Sequence, residues 1–321
     1  MPSAFITGIT GQDGSYLSEA LAQRGWELHA LVRPGTVEGE QPFPAGVEAH
    51  VGDLKNPESV GAALRDARPD AVFNLAGVSS VARSWVDPLE TSLVTGTAVS
   101  AGLDAAWRWQ EESGAPITVV QASSAEMFGV PRDIPQTEST RLAPVSPYGA
   151  AKAYGHLLVG AYRARGLHAS AAILYNHESP RRPTAFVTRK ITSTVAQIAR
   201  GRADELVLGD LTARRDWGWA PDYVDALIRI ALHSQADDFV IATGESHTVS
   251  DFVDAAFRAA GVEDGARFVR SDPRFLRPVE SPELVGDSSK ARRELGWTPT
   301  RHFDAVVSAM VEHDLELIDG R

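Results

Sequence analysis

Tyr148 and Lys152, four residues apart, are the side chains whose types and spacing best suit proton transfer. Ser146-Pro147-Tyr148 is typical of a helix start, so both side chains would project from one helix face, one turn apart. A nearby ammonium favours a phenolate, lowering the tyrosine pKa from about 10 toward working pH. Such a phenolate can accept a proton from an alcohol. Taken alone, however, a pair at this spacing is more often surface packing.

A second polar group, Ser123-Ser124-Ala125-Glu126, closely follows the apolar segment Ile117–Gln121, which is typical of a strand. A serine at the carboxyl end of a parallel strand can hydrogen-bond a reacting oxygen, and a carboxylate can move a proton. A helix cap or a turn is the alternative interpretation. Together, Ser124, Glu126, Tyr148 and Lys152 favour catalysis, and these four are the candidate catalytic residues.

A glycine-rich turn lies between the predicted strand Ala4–Thr7 and the helical pattern Ser15–Arg24. Its spacing lets backbone N–H groups and a helix N-terminus approach a pyrophosphate, although a turn without a ligand has the same composition. Its place at the first strand of a βαβ unit favours a dinucleotide. The candidate cofactor-binding residues of this turn are Gly8, Thr10, Gly11, Gln12, Asp13 and Gly14.

The turn after the second strand contains Arg33 and no immediate carboxylate. A guanidinium there can pair with a 2′-phosphate, so the sequence predicts NADP rather than NAD, unless Arg33 is an ordinary surface residue. Asp53 and Leu54, after the third strand, can contact an adenine or simply form a turn before the Asn56 helix cap. Tyr148 and Lys152 are also expected to contact the cofactor.

Strands that alternate with helices must position these groups. The predicted strands are Ala4–Thr7, Glu27–Val32, Glu48–Val51, Ala71–Leu75, Ile117–Gln121, Ala169–Leu174, Glu205–Leu208 and Asp238–Ala242. The first six predict an α/β fold with a doubly wound parallel Rossmann sheet. We expect a dinucleotide-binding domain over 1–174, with elements around 219–245 rejoining it. A smaller mixed α/β C-terminal domain over 175–321 would bind most of the substrate.

Composition narrows the function classes. The 321 residues carry a net charge of −11 and no cysteine, which argues against nucleic-acid binding and excludes thiolate chemistry. The chain offers no secretory signal and no long apolar span, so we expect a cytoplasmic protein without membrane contact. Its nine histidines form no His-Glu-x-x-His motif, and we expect no catalytic metal.

The chain resembles the extended short-chain dehydrogenase/reductase family and, within it, the GDP-mannose 4,6-dehydratases. Resembling stretches run through nearly the whole chain: Gly8–Leu17, Gln121–Gly129, Ser146–Lys152, Asn176–Arg182, Phe186–Ile191, Arg215–Gly218, Arg277–Glu280 and Gly286-Asp287. It departs from the family pattern at Ser124, usually threonine, and at Ala125 and Phe128, usually serine and tyrosine. Val78 and Ser80 replace a more usual glutamine and histidine, which makes the sugar assignment less secure than the reaction type.

The resemblance implies internal redox chemistry on a GDP-sugar. Tyr148 would deprotonate the C4 hydroxyl while a hydride moves from C4 to NADP⁺, and Lys152 would hold the tyrosine and the nicotinamide ribose. Glu126 would remove the C5 proton and assist loss of the C6 hydroxyl as water, before hydride returns to C6. Another nucleotide-sugar dehydratase, a 4-keto reductase, an epimerase or a non-catalytic NADP- or nucleotide-sugar-binding protein are the alternatives.

The resemblance also implies further contacts. Those expected for the cofactor are Leu75, Ala76 and His177, of which His177 would chiefly orient the loop at Asn176. Those expected for the substrate are Ser79, Ser124, Glu126, Asn176, Val187, Lys190, Leu208, Gly209, Arg215, Arg277 and Glu280. A homodimer or homotetramer is expected, with the helices over Asp87–Trp109 and Tyr148–Arg165 forming a four-helix interface.

Overall fold

The computed structural model describes residues 1–35, 46–276, 278–281 and 283–320. The strands, in chain order, are β1 (Ser3–Thr7), β2 (Glu27–Val32), β3 (Val47–Val51), β4 (Ala71–Asn74), β5 (Thr118–Ser124), β6 (His168–Leu174), β7 (Asn176–Glu178), β8 (Leu206–Leu208), β9 (Arg214–Arg215), β10 (Trp217–Trp219), β11 (Asp238–Ile241), β12 (His247–Thr248), β13 (Val269–Ser271) and β14 (Glu283–Leu284). The α-helices are α1 (Gln12–Gln23), α2 (Pro57–Ala67), α3 (Val81–Val86), α4 (Pro88–Thr91), α5 (Ala98–Ser113), α6 (Pro147–Ala164), α7 (Val187–Ala199), α8 (Ala220–Leu232), α9 (Val249–Ala259), α10 (Ser289–Leu295) and α11 (Phe303–Asp319).

Within the described residues, seven parallel strands form one sheet in the order β11-β6-β5-β4-β1-β2-β3. The chain builds outward from β1 to β3, then returns to β4 and builds in the opposite direction. Sequence reasoning predicted this doubly wound α/β fold, and the structure confirms it. The reversal between β1 and β4 creates a crevice at the carboxyl edge, where open α/β sheets bind ligands.

Apolar helix faces cover both sides of this sheet. Leu17 and Leu21 of α1 and Leu227 of α8 belong to the core cluster on one side. Val60 and Leu64 of α2 belong to the cluster on the other side. Each such buried side chain stabilises the fold by about 1.5–3 kcal/mol relative to exposure, which holds the strand ends in fixed positions.

A second core lies among α7, α9 and α11. Trp217 packs edge-on against Phe252, with ring centroids 5.2 Å apart, and Phe303 of α11 stacks on Trp217. Val307 and Met310 of α11 are fully buried in this core. In the part of the chain that the structure describes, short strands add three small sheets to this region: β10-β7, β12-β9-β14 and β13-β8. These elements form the smaller mixed α/β part of the fold.

The structure extends or interrupts several predicted elements. β5 continues to Ser124 rather than ending at Gln121, because it pairs with β6 as far as the Ser124–Leu174 partners. α1 begins at Gln12, so the glycine turn leads directly into the helix. The helix predicted over Asp87–Trp109 is interrupted by a π-helical segment, Ser92–Thr97. Within the described residues, no helix combines the length and apolar character needed to cross a membrane.

Candidate active site

The carboxyl edge of the sheet brings together residues from distant parts of the sequence. Gly8, Arg33, Leu75 and Ser124 mark the ends of β1, β2, β4 and β5, respectively. Three inter-strand spacings, about 14 Å, separate β5 from β2 in the sheet order. The line of strand ends from β5 to β2 is long enough to hold an extended dinucleotide. The candidate catalytic residues lie at its β5 end, and Arg33 lies near its β2 end.

The glycine turn leaves no room for side chains at two positions. Gly8 has a φ of +78°, and a Cβ there would lie 2.9 Å from the Ala76 nitrogen. A Cβ on Gly14 would lie 2.2 Å from the Gly8 carbonyl oxygen. The backbone is therefore packed closely around the start of α1, while Thr10 and Gly11 are exposed at its surface. This cradle fits a pyrophosphate at a helix N-terminus.

The candidate catalytic residues are close together. Ser146 caps α6 by accepting a hydrogen bond from the Gly149 nitrogen at 3.0 Å, which places Tyr148 in the first turn. The Tyr148 phenol hydrogen-bonds the Ser124 hydroxyl. The same hydroxyl oxygen accepts from the Glu126 nitrogen at 3.3 Å. The Glu126 carboxylate is near enough for its charge to act on the phenol, so a hydroxyl, a phenol and a carboxylate share one site at the end of β5.

The pKa of Tyr148 differs from the sequence-based expectation. Burial, with a smaller effect from the Glu126 charge, raises its pKa to about 12, although the Ser124 hydrogen bond opposes this. Lys152 Nζ lies 5.9 Å from the Tyr148 ring centroid and donates to the Ala122 oxygen at 2.8 Å. The chain's own groups therefore raise this pKa overall, and the predicted lowering, which includes the positive charge of an oxidised nicotinamide, stays a prediction. Burial lowers the pKa of Lys152 to about 8, so it remains mostly protonated at neutral pH.

A chain of hydrogen bonds crosses the sheet from the glycine turn to Lys152. Thr7 Oγ1 donates to Asn74 Oδ1 at 2.6 Å, and Asn74 Nδ2 donates to Gln121 Oε1 at 2.6 Å. Gln121 Nε2 then donates to the Ala122 carbonyl oxygen at 3.0 Å, the oxygen that also accepts from Lys152. Three neighbouring strands therefore fix the position of the lysine relative to the glycine turn.

Another network joins the glycine turn to β7. His177 Nε2 lies 2.9 Å from Asp13 Oδ2, and its Nδ1 lies 2.7 Å from the Tyr175 carbonyl oxygen. Gln12 Nε2 donates to the His177 carbonyl oxygen at 3.1 Å, while Ser179 Oγ donates to Gln12 Oε1 at 2.9 Å. Both imidazole nitrogens therefore have partners within the chain. This arrangement supports a positioning role for His177.

The residues expected to contact substrate form two further groups. Arg215 is buried on β9 and pairs with Glu280, and its Nη1 donates to the Ser281 carbonyl oxygen at 2.8 Å. Lys190 Nζ lies 3.8 Å above the Phe275 ring, and burial lowers its pKa. A Cβ on Gly209 would lie 2.5 Å from the Phe275 carbonyl oxygen, so this glycine adjoins Lys190's aromatic partner. Arg277 lies outside the described residues.

The remaining candidates differ in exposure and partners. Arg33 and Ser79 are exposed, whereas Leu208 is buried at the end of β8. Asp53 Oδ1 accepts from the Lys55 nitrogen at 2.9 Å, which is the turn geometry of the alternative interpretation. Leu54, Leu75, Ala76 and Asn176 are half-buried, and Val187 is exposed at the start of α7. Arg33 and Asp53 lie far along the sheet edge from the residues at the end of β5.

Similarity to known proteins identifies the family of this chain. A family model described as GDP-mannose 4,6 dehydratase matches residues 5–310. The chain belongs to the GDP-mannose 4,6-dehydratase family. It is 42% identical over 326 residues to GDP-mannose 4,6 dehydratase 1 from Arabidopsis thaliana, covering 98% of this chain and 90% of that protein. The family membership expected from the motifs is confirmed.

Two more comparisons support the family and the fold. GDP-mannose 4,6 dehydratase from Homo sapiens is 39% identical over 343 residues, covering 98% of this chain and 92% of that protein. The structure of UDP-glucose 4-epimerase from Thermus thermophilus, in complex with NAD, has a TM-score of 0.83 at 26% identity. That similarity covers 97% of this chain and 98% of the epimerase chain.

Sequence reasoning missed two residues that shape the site of this dehydratase-family member. A Cβ on Gly149 would lie 2.5 Å from the Glu126 carbonyl oxygen, so the glycine allows α6 to approach Glu126 closely. Burial raises the pKa of Tyr148, and the Arg182 guanidinium is one of the groups that lower it. Gly149 lies beside Tyr148 in the sequence, which is a usable signal, whereas only the fold brings Arg182 near the phenol.

Proposed function

We propose that this chain is a GDP-mannose 4,6-dehydratase that converts GDP-D-mannose to GDP-4-keto-6-deoxy-D-mannose with loss of water. The observation that carries the proposal is the convergence of Ser124, Glu126 and Tyr148 at the carboxyl end of β5 in a chain of this family. A hydroxyl donor, a carboxylate and a phenol are the groups that oxidation at C4 and elimination across C5 and C6 require.

We further propose that the cofactor is NADP. Gly8, Gly11 and Gly14 would admit its pyrophosphate at the start of α1, and Arg33 would pair with the 2′-phosphate. When bound, the oxidised nicotinamide supplies a hydride acceptor and a positive charge beside the site. A nearby positive charge lowers a phenol's pKa, which would offset the effect of burial on Tyr148.

Each catalytic side chain has a role that follows from its surroundings. Tyr148 accepts the proton of the C4 hydroxyl, and the Ser124 hydroxyl holds the same oxygen through a hydrogen bond. Lys152 uses one hydrogen on the Ala122 carbonyl oxygen, leaving two donors for the phenol and a ribose hydroxyl. Glu126 removes the C5 proton and returns a proton to the departing C6 hydroxyl, so elimination leaves its charge unchanged.

Substrate binding is assigned by charge complementarity. The chain carries a net charge of −11, so a diphosphate needs local cations, which Lys190, Arg215 and Arg277 would supply. Phosphate oxygens would share the Arg215 guanidinium with Glu280, which would also accept from the ribose or base. We also propose that residues 1–174 form a dinucleotide-binding domain and that residues 175–321 mainly bind the substrate. Parallel pairing of β11 with β6 supports the return of residues 219–245 to the first domain.

We also propose a homodimer, which pairs further into a homotetramer if a second interface forms. α3 and α4 pack against α6, and this region carries exposed apolar side chains. They are Trp85, Val86, Leu89, Tyr154 and Leu157. An exposed apolar surface of this kind is typical of an interface between copies of a chain.

The reaction is tested by incubating purified protein with GDP-, UDP-, dTDP- and CDP-hexoses without added reductant. Mass spectrometry should detect loss of water from GDP-mannose and from no other substrate. A product from another sugar would reassign the substrate, and an epimerised sugar would reassign the reaction. Glu126→Gln should retain substrate and cofactor binding while lowering kcat by about 10²–10⁴-fold. Unchanged turnover would remove Glu126 from this role.

The cofactor is tested separately with Arg33→Asp. Loss of the guanidinium and gain of a carboxylate should shift the ratio of NADP to NAD affinity toward NAD, measured by fluorescence titration of both cofactors. A ratio equal to that of the unsubstituted protein would mean that another residue reads the 2′-phosphate.

A further inference from the structure

A compact group of His29, Glu48 and His50 lies outside the candidate active site, on β2 and the edge strand β3. His29 is the register partner of Glu48, and Glu48 and His50 are two residues apart, so all three side chains project from one sheet face. The imidazoles are buried, whereas the Glu48 side chain is 64% exposed. The group therefore has a buried nitrogen side and an open carboxylate side.

The donor atoms of these residues converge. His29 Nδ1 lies 3.1 Å from His50 Nε2. The Glu48 carboxylate approaches the same two nitrogens, with Oε2 3.6 Å from His29 Nδ1 and Oε1 4.0 Å from His50 Nε2. The carboxylate distances are too long for hydrogen bonds. Ligands at 2.0–2.1 Å from a tetrahedral Zn²⁺ are about 3.3 Å apart, so small movements of the exposed Glu48 would complete a shared coordination shell.

Asp66 of α2 orients one of the imidazoles. Its Oδ2 lies 3.1 Å from His50 Nδ1. Because a carboxylate only accepts hydrogen bonds, His50 Nδ1 carries the proton and Nε2 presents its lone pair toward His29. Histidine ligands to metals characteristically donate their other ring N–H to such a carboxylate. Without a cation, His29 Nδ1 donates its hydrogen to that lone pair. His29 would bind a cation through Nδ1 as its other neutral tautomer, with the proton on Nε2.

We propose that His29, Glu48 and His50 bind a divalent first-row transition cation, represented by Zn²⁺, with Asp66 as the positioning residue. Two imidazoles and a carboxylate suit this class of cation, and a water would complete a tetrahedral shell. Mg²⁺ and Ca²⁺ prefer oxygen ligands and would bind poorly. The cation would cross-link β2 to the edge strand β3 and, through Asp66, to α2. The proposal does not depend on the function assigned above.

The test uses untagged full-length protein that has been stripped with a chelator and dialysed free of it. Zinc titration, with bound metal measured by mass spectrometry, should give saturable binding of one Zn²⁺ per chain. Zn²⁺ should also raise the Tm. His29→Gln and His50→Gln should abolish both effects, and Asp66→Asn should weaken zinc affinity by roughly 10–100-fold. Excess Mg²⁺ should not displace the zinc.

Glu48→Gln provides a variant whose folding is not at risk, because Glu48 is largely exposed. It should weaken zinc affinity by at least about tenfold, by analogy with the loss of supporting groups around metal sites. His313→Gln, which alters a histidine on α11 outside the cluster, should bind zinc like the unsubstituted chain. Failure of the unsubstituted chain to bind saturably, or undiminished binding by Glu48→Gln and His50→Gln, would overturn the proposal. The group would then be a hydrogen-bonded His29–His50–Asp66 chain without a cation.

Discussion

His177 Nε2 lies 2.9 Å from the Asp13 carboxylate, although the two residues are 164 positions apart. Burial alone would raise the pKa of Asp13, but the His177 charge and hydrogen bond, together with the Gln12 hydrogen bond and the Arg182 charge, outweigh it and hold that pKa at about 2. Burial likewise tends to lower the pKa of His177, but the Asp13 charge raises it overall. Each charge therefore stabilises the other and fixes the glycine turn against β7.

This pair should make stability depend on pH. Asp13 contributes above its unfolded pKa of 3.8 and loses its contribution as pH falls toward about 2. His177 contributes fully below its unfolded pKa of 6.5 and loses its contribution as pH rises through the raised folded value. In cofactor-free protein, Asp13→Asn should lower the free energy of unfolding most near pH 5, by about 2 kcal/mol.

Urea unfolding from pH 3 to pH 9 measures this difference. The gap between the unsubstituted chain and Asp13→Asn should narrow at both ends of the range. Asp304→Asn is the matched control, because the Asp304 side chain is 78% exposed and should give a small, nearly constant difference. A constant gap for Asp13→Asn would show that the ion pair does not control the pH dependence.

Gly149→Ala should impair catalysis through backbone position. The added Cβ would lie 2.5 Å from the Glu126 carbonyl oxygen and force α6 away from it, at a cost of about 1–3 kcal/mol. Displacing Tyr148 by about 1 Å should lower kcat by roughly 10²-fold. Steady-state kinetics and thermal unfolding measure the two effects.

Gly160→Ala is the control in the same helix. A Cβ there would meet nothing within 4 Å, so this variant should keep kcat and gain about 0.5–1 kcal/mol of stability from better helix propensity. Equal kcat values for Gly149→Ala and the unsubstituted chain would contradict the proposed close approach of α6 to Glu126.

Gln121→Leu should break the hydrogen-bond chain from Thr7 to Lys152. The half-buried Asn74 Nδ2 would lose its acceptor at 2.6 Å, which costs up to about 1 kcal/mol, less than the loss at a fully buried group. Because Gln121 and Asn74 are coupled, adding Asn74→Leu should destabilise the fold by less than the sum of the two single changes. Chemical denaturation of the four proteins measures this coupling, and simple additivity would rule out a connected chain.

Leu157→Arg should disrupt the proposed dimer. Leu157 is 63% exposed on α6, and a guanidinium there would place charge in an apolar interface. Light scattering after size-exclusion chromatography should show a smaller assembly with unchanged secondary structure. Leu317→Arg, at a leucine of similar 59% exposure on α11, should leave the assembly unchanged. A dimer that survives Leu157→Arg would locate the interface elsewhere.

Local sequence patterns determined the sheet architecture, the helix caps and the spacing of the motifs, because hydrophobic periodicity and turn chemistry act over short distances. The strand-helix alternation predicts the doubly wound sheet, and the Asn56 and Ser146 caps accept hydrogen bonds as expected. Gly8-x-x-Gly11-x-x-Gly14, which runs from the turn into α1, and Tyr148-x-x-x-Lys152, within α6, likewise carry their spacing in short stretches of sequence. The resemblance to the dehydratases also rests on such stretches, and the family comparison confirms it.

Contacts that depend on strand order and burial were decided only by the tertiary structure. The sequence does not reveal that burial raises the pKa of Tyr148 to about 12 while Lys152 turns to the Ala122 carbonyl oxygen. The sequence also does not reveal that His29 and His50 are in contact, because these residues lie on separate strands and share no motif. Electric fields, desolvation and donor convergence depend on distances through space, which exist only once β2, β3, β5 and α6 have packed together.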